Sequence, residues 1–472
     1  MDTFLKKINR FKKKIAFYDD SKIYTYNDLI SKLDLFEKII GERKLVLLFC
    51  ENKYEIVFSY INLILTNSVI ILADKNLSSK NIYNIVDTYK PDFIFNLKKK
   101  IKFSTTYEIF RFIENQIILK KKTKHNFKIY KNLSLLLPTS GSTGSPKYVR
   151  ISNLNLIENT SQIIDSLQLN ENHITITTMP FNYTYGMSII NTHLACGASI
   201  VLNNYSFLEK KFWELLKIRK VTNFGGVPFM YEMLSRVGFN RVLPKTILHL
   251  TQAGGKITEK LFQEIVEISK KKGFKFYSMY GQTETTSRMS VLNYRYADYK
   301  ISSIGKPLKR GKFELIDDKN KIIKSSNVNG QLIYYGKNVS LGYSENIKDL
   351  SKGDKNKNKI NTGDIAFRDS EGFFFISGRK KRFCKLFGVR ISLDEVEYIL
   401  NQLNLNSAAI SDDKILYLFF EKNIDKSFVI NKIVESVGLN KFYVKTIFPH
   451  KLPRKSSGKI SYNELEEYVK KL

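Results

Sequence analysis

Cysteine is scarce in this chain: Cys50, Cys196 and Cys384 are the whole complement in 472 residues. They are odd in number and far apart, and no CxxC occurs, which excludes a disulfide framework and a cysteine zinc site. Reduced, buried thiols are expected. Histidine is almost as rare, with five scattered residues and no cluster. Long apolar runs are also missing. A membrane helix needs about 20 mostly apolar residues. The longest apolar stretch, residues 58–73, is interrupted by Asn62, Thr66, Asn67 and Ser68. It reads as a buried helix, a turn and a buried strand. The first residues are basic, but no apolar signal-peptide core follows them, so no transmembrane segment and a cytoplasmic protein are expected.

Acidic residues are the fourth shortage. Asp and Glu number 45 against 77 Lys and Arg, a formal net charge of +32. Such a surface could attract nucleic acid or anionic lipid. The lysines, however, are spread along the whole chain and travel with abundant Asn, Ile and Tyr, a compositional habit rather than a patch. No nucleic-acid module is recognisable, and a dedicated nucleic-acid role is not expected.

The hydrophobic fraction of 43% is ordinary for a soluble globular protein. The length is too great for one core and implies two or more domains. The run Tyr24-Thr-Tyr-Asn-Asp-Leu29 opens an amphipathic helix reaching about Ile40, capped by Asn27 or Thr25. Residues 44–50, 69–72 and 91–95 read as buried strands, with a helix from about Lys53. Strand and helix alternate in this way to about residue 300, which predicts α/β layers with largely parallel sheets. From Gly311 the pattern shifts to short, closely spaced strands. Residues 351–359 form a Lys/Asn/Gly run expected to be a mobile surface loop. After Gly378 comes a small α+β unit. It holds a helix over 392–403 with Ser392 and Glu395 at capping-box spacing, strands near Ala408 and over 415–420, a helix, a strand near Tyr443 and a final helix. The expected fold is α/β: a large domain over 1–378, of layered α/β subdomains plus a β-rich subdomain, and a small α+β domain over 379–472.

The run Leu136-Leu-Pro-Thr-Ser-Gly-Ser-Thr-Gly-Ser-Pro-Lys147 begins as a strand and ends as a loop of small hydroxylated residues. Gly141 and Gly144 can adopt backbone angles that aim successive N–H groups at one anion. Ser140, Ser142 and Thr143 add hydroxyl donors, and Lys147 adds a point charge. Such a loop cradles a polyphosphate. It is not the Walker pattern, because Pro146 precedes the lysine and strand-like residues follow it.

Other blocks carry matching chemistry. In Met279-Tyr-Gly-Gln-Thr-Glu-Thr285, Thr283 can bond a phosphate oxygen, Glu284 can hold Mg²⁺, and Tyr280 can stack on a flat base. In Asn361-Thr-Gly-Asp-Ile365, followed by Ser377-Gly-Arg379, a carboxylate can accept both hydroxyls of a ribose and an arginine can reach ribose or phosphate. Gln252-Ala-Gly-Gly-Lys256 and Leu452-Pro-Arg-Lys-Ser-Ser-Gly-Lys-Ile460 are a glycine loop and a late Gly-Lys. Each alone could be an ordinary turn.

Together, in this order, these blocks resemble the adenylate-forming superfamily of acyl-CoA synthetases, peptide-synthetase adenylation domains and firefly luciferase. The resemblance spans essentially the whole chain. It implies that Thr139, Ser140, Gly141, Ser142, Thr143, Gly144 and Lys147 form the phosphate loop. Gly254, Gly255 and Lys256 would lie along one face of the adenine and Tyr280 along the other. Asp364 would bind the ribose with Arg379 beside it. Thr283 and Glu284 would serve the phosphates and Mg²⁺, and Lys459 would enter the active site during adenylation. Lys381 falls at the hinge of the mobile small domain, where most relatives place an aspartate. Lys385 and Gly388 match the segment lining the thiol tunnel.

The implied reaction is attack of a carboxylate on the α-phosphorus of ATP, release of pyrophosphate, and transfer of the acyl group to a thiol. The block Met179-Pro-Phe-Asn-Tyr-Thr-Tyr-Gly186 would border the acid, with Tyr183, Tyr185 and Gly186 in the pocket. Gly226, in Gly225-Gly-Val-Pro-Phe229, either lines the same pocket or packs in the core. No acidic residue lies between Met179 and Ile200, which argues against an α-amino acid. Tyr183 stands where acyl- and aryl-CoA synthetases usually have histidine. CoA is the expected thiol, with an acidic carrier protein as the alternative acceptor; the positive charge should steer either, and ATP, toward the chain. A non-enzymatic ATP- or nucleic-acid-binding scaffold is disfavoured by the presence of both Glu284 and Lys459.

Overall fold

A computed structural model describes residues 8–20, 22–96, 106–113, 116–123, 127–138, 147–379, 382–386, 389–412, 414–437, 439–455 and 458–471. Two large sheets and a smaller one make up the first 379 residues. The first sheet has nine strands. At its centre Lys275–Tyr280, His249–Gln252, Asn223–Gly226, Ile174–Ile176, Ser199–Leu202 and Ile15–Asp19 lie side by side and parallel. Antiparallel strands close both edges. The second sheet has eight strands, with Leu45–Cys50 between Val69–Asp74 and Phe93–Phe95. All six residues of Leu45–Cys50 are buried, the continuous apolar pattern of a parallel strand covered on both faces.

The predicted helix–turn–strand over 58–73 is present as helix Tyr54–Leu65 and strand Val69–Asp74. The polar residue that interrupts this run has a structural duty. Asn62 is buried and its Nδ2 donates to the carbonyl oxygens of Leu29 and Phe58, both at 2.9 Å. Asn67, at φ 57°, turns the chain into the strand.

Two expectations are corrected. The helix over 24–40 is two helices, Tyr26–Ile30 and Leu33–Ile40, preceded by strand Lys22–Thr25. Thr25 caps the first through a capping box with Asp28, and the Ser31 hydroxyl takes the Asp28 carbonyl at 2.9 Å as the helix ends. The run 351–359 is pinned rather than loose. Arg150, fully buried, donates to the carbonyl oxygens of Lys352 and Gly353, and Lys355 N–H donates to Leu341 O at 3.1 Å.

A four-stranded antiparallel sheet of Lys312–Ile316, Gly330–Tyr335, Lys359–Arg368 and Phe374–Arg379 follows. The remainder is a two-stranded ribbon and a three-stranded sheet, with helices Leu393–Gln402, Lys426–Val437 and Tyr462–Val469. It has cores of its own. Leu386, Val396, Leu400, Leu418 and Ile433 pack in one cluster, and Ala408, Phe419, Leu452 and Leu465 in another. Among the described residues, its contacts with the large part include the Tyr398 hydroxyl, which donates to Glu259 at 3.3 Å, and Arg454, 4.9 Å from the Phe229 ring centre.

Candidate functional site

Strands Asn223–Gly226, His249–Gln252 and Lys275–Tyr280 end together, with Gly226, Gln252 and Ser278 in register. In an open parallel sheet, ligands bind in the crevice beyond such carboxyl ends. The loops leaving these strands supply the site. Gly254 sits at φ 91°, and a Cβ there would lie 2.8 Å from the Tyr183 hydroxyl and 3.7 Å from Lys459 Cε. Thr283 opens a single 3-10 turn, Thr283–Thr285. Thr286, β-branched, is held at φ 65°, a conformation that persists only when the surroundings impose it. Asn338 does so. Its carbonyl accepts from the Thr286 hydroxyl at 2.8 Å, while its Nδ2 donates to the carbonyls of Thr285 at 3.0 Å and Arg288 at 2.8 Å.

Tyr280, Asp364 and Arg379 meet at one end of this crevice. Asp364 and Arg379 are paired across neighbouring antiparallel strands. Arg379 Nε donates to Asp364 Oδ1 at 3.0 Å, and the Tyr280 hydroxyl donates to Oδ2. Burial pushes the Asp364 carboxyl above its usual range, and the Arg379 charge and the Tyr280 bond pull it back. A carboxylate anchored in this way offers its spare lone pairs to a diol.

Glu284 lies at the other end. Its Oε1 accepts from the Tyr343 hydroxyl at 2.8 Å, and its carbonyl accepts from Ser340 N–H at 2.9 Å. Tyr343 is carried by a two-residue strand paired with Tyr148–Ser152. Lys147 rests 4.0 Å above the Tyr343 ring centre and 3.7 Å from Glu345. The lysine that ends the predicted phosphate loop and the predicted metal ligand therefore share one tyrosine. Thr139, Ser140, Gly141, Ser142, Thr143 and Gly144 lie outside the described residues, as do Lys381 and Gly388.

Lys459 reaches this crevice from the small domain. Gly458 turns the loop at φ 78°, and a Cβ on it would press 3.1 Å from Val227 Cγ2. Lys459 Nζ stands 5.8 Å from the Tyr183 ring centre. Burial, then the charges of Arg379, Lys455 and Arg288, lower its ammonium from 10.5 to about 8, with Asp364 acting the other way. A lysine is charged below its pKa, so this charge is lost as pH rises through about 8. If the charge serves the reaction, kcat/KM for ATP in pyrophosphate release falls roughly tenfold per pH unit above that point. The same profile in Lys459→Ala lacks that descending limb. A wild-type profile flat to pH 10 would refute the link.

The other predicted positions divide. Tyr183 and Gly254 border the Lys459 side chain. Tyr185 is buried beneath the crevice, its hydroxyl bonded to Thr251 O at 2.9 Å and its ring stacked on Arg288. Gly186 is demanded by packing, since a Cβ would fall 2.4 Å from Pro180 O. Gly226 lines a cavity of 560 Å³ with Met179, Val227, Phe229, Pro453 and Gly458. Gly255 packs on Pro228. Lys256 is placed at the domain contact, 4.7 Å over the Tyr398 ring. Lys385 belongs to strand Phe383–Leu386. The sequence reading missed Tyr343, Asn338 and Arg288. None has a motif of its own, and one arginine is inconspicuous among 77 basic residues.

The sequence model of the AMP-binding enzyme family matches residues 4–344. A 2-succinylbenzoate–CoA ligase of Bacillus cereus is 26% identical over 350 residues, covering 71% of this chain and 70% of that protein. One from Listeria monocytogenes is 27% identical over 343 residues, covering 70% and 69%. Among solved structures, the Bacillus subtilis o-succinylbenzoate CoA synthetase with its acyl-adenylate superposes with a TM-score of 0.79 at 20% identity, covering 98% of this chain and 97% of that one. ATP-bound MatB from Rhodopseudomonas palustris gives 0.79 at 18% identity over 99% and 98%. These two likenesses speak for the fold alone. Among the described residues, no helix is long and apolar enough to cross a membrane.

Proposed function

Because the chain belongs to the AMP-binding enzyme family, we propose that it activates a carboxylic acid with ATP as an acyl-adenylate and passes the acyl group to CoA. The observation that carries this reading is the convergence of Lys459 from the small domain with Tyr183, Gly254 and Asp364 from the large one. A carboxylate oxygen bonds to the α-phosphorus of ATP, and the bond to the pyrophosphate oxygen breaks in line. Negative charge grows on the phosphoryl oxygens and bridges toward the acid. Donors fixed beforehand stabilise that charge without reorganising.

Asp364 holds the ribose, with Arg379 fixing the carboxylate and Tyr280 bracing it. Lys459 serves the charge between the acid and the α-phosphate. The donor set at Glu284 fits Mg²⁺. It is a hard carboxylate whose second oxygen has no protein donor among the described residues, in a region where no group of three His, Cys, Asp or Glu could hold an ion unaided. A single carboxylate completed by substrate phosphates is how Mg²⁺ is usually held. Bound there, the ion would neutralise the departing pyrophosphate. The small domain, residues 379–472, then turns about Lys381 so that Lys459 withdraws and a thiol enters. Its separate cores support such a motion.

The test is pyrophosphate release with ATP, Mg²⁺ and a panel of carboxylic acids, 2-succinylbenzoate among them, followed by thioester formation with CoA. Acid-dependent pyrophosphate and an acyl-CoA are the expected products. The net charge of +32 favours one second acceptor, an acidic carrier protein. Thioester formed only on a carrier protein would replace CoA in this reading, and no acid-dependent pyrophosphate would overturn it.

A further inference from the structure

Among the described residues of the large domain two arginines are buried, and their surroundings differ. Arg150, 0% exposed, donates to the carbonyl oxygens of Leu341, Tyr343, Lys352 and Gly353. Its hydrogen-bonding capacity is used by the fold. Arg288, 3% exposed, has Nη1 on the Ser287 carbonyl at 3.2 Å and hydroxyl at 2.9 Å, and its guanidinium interacts with the Tyr185 side chain. Its Nε and Nη2 are buried without a hydrogen-bond partner. Among the described residues no carboxylate forms an ion pair with it. A buried cation left in this state is strongly disfavoured unless an anion joins it.

The backbone of Arg288 is nonetheless held firmly. Asn159 accepts from its N–H at 3.1 Å and donates to its carbonyl at 2.8 Å, where Asn338 also donates. The Ser287 hydroxyl ties the same loop to Thr184 O at 3.2 Å. The guanidinium lies 4.0 Å from the Tyr185 ring centre, a stacking that orients its edge without satisfying its donors. It lies against Tyr185 and close enough to Tyr183 and Lys459 for its charge to act on both. The structure therefore has a rigid, planar cation beside the residues that surround Lys459, and among the described residues no carboxylate pairs with it.

Resting on the function proposed above, we infer that the acid substrate carries a second anionic group, a carboxylate in the simplest case, which Arg288 binds while the first carboxylate is activated at Lys459. Arg288 is then a specificity determinant. A site built around an unpaired donor rejects analogues lacking the acceptor by large factors, because their binding leaves that donor buried and unmet. Neutral monocarboxylic acids of equal size are poor substrates for this reason.

The test compares dicarboxylic acids of graded length and shape with their monomethyl esters, scored by kcat/KM for pyrophosphate release. In the wild type the best diacid should exceed its ester by roughly 10²-fold or more. In Arg288→Met that ratio should collapse toward one, and in Arg288→Lys it should survive in reduced form, because a cation remains without the bidentate edge. Unaltered ATP binding by both variants reports an intact fold; should Arg288→Met not fold, the wild-type and Arg288→Lys ratios decide. Equal turnover of diacid and ester by the wild type would overturn the inference, as would an equal loss on both in Arg288→Met. A panel with no active acid would instead remove the underlying function.

Discussion

Lys459→Ala should lower acid-dependent pyrophosphate release by about 10²–10³-fold, the cost of removing one preorganised stabilising donor from a charged transition state. The same protein, given synthetic acyl-adenylate and CoA, should form thioester at near the wild-type rate. The split follows from where the lysine sits. It is carried on a loop of the small domain, turned by Gly458 and inserted beside Gly254 and Tyr183. Its field acts only while that domain is docked in this way. The amine is also held in a cationic neighbourhood of Arg379, Lys455 and Arg288 that lowers its pKa to about 8. Such a group is poorly stabilised before substrates arrive and gains most when the anionic acid and α-phosphate come together, as differential binding of the transition state requires. Equal loss in both half-reactions would mean that Lys459 supports the fold or the docking rather than the adenylation chemistry. Unchanged pyrophosphate release would remove it from the mechanism.

The fold was legible where the pattern was long and local. Alternating strands and helices to about residue 300 and the α+β tail can be read from apolar periodicity, which reflects burial directly. The errors lie where one side chain decides a remote backbone. Nothing in the run 351–359 shows that Arg150, some 200 residues earlier, holds its carbonyls. Likewise the Asp364–Arg379 pair lies 15 residues apart on adjacent strands and is visible as two short motifs. The Glu284–Tyr343 bond spans 59 residues and joins a motif to an unremarkable tyrosine. Arg288 is the extreme case. Its meaning comes from the partners it lacks, and absence of a partner is a property of the folded surroundings, not of sequence spacing. Lys256 shows the converse. Its charge lies over Tyr398 at the domain contact, a partner that its motif does not name.

Glu284→Gln should reduce the adenylation rate by about 10²-fold and raise the Mg²⁺ concentration needed for half-maximal activity, with little change in thermal stability. The amide keeps an oxygen for the Tyr343 hydroxyl, so the 2.8 Å bond and the clamp of Asn338 on the Thr283–Thr285 turn should persist. What disappears is the charge that a divalent ion needs. Tyr343→Phe removes the orienting bond but leaves the charge, and groups that orient metal ligands typically matter 10–100-fold in metal affinity. It should therefore raise the half-maximal Mg²⁺ concentration in the same way, at the low end of that range, about tenfold. Because Lys147 stacks on the same ring, Tyr343→Ala should go further than Tyr343→Phe, releasing the end of the phosphate loop as well and raising KM for ATP. The three variants separate charge, orientation and loop anchoring by their effects on Mg²⁺ dependence and on KM for ATP. Wild-type Mg²⁺ dependence in Glu284→Gln would show that another group holds the ion, and the shared tyrosine would then be an anchor for the phosphate loop alone.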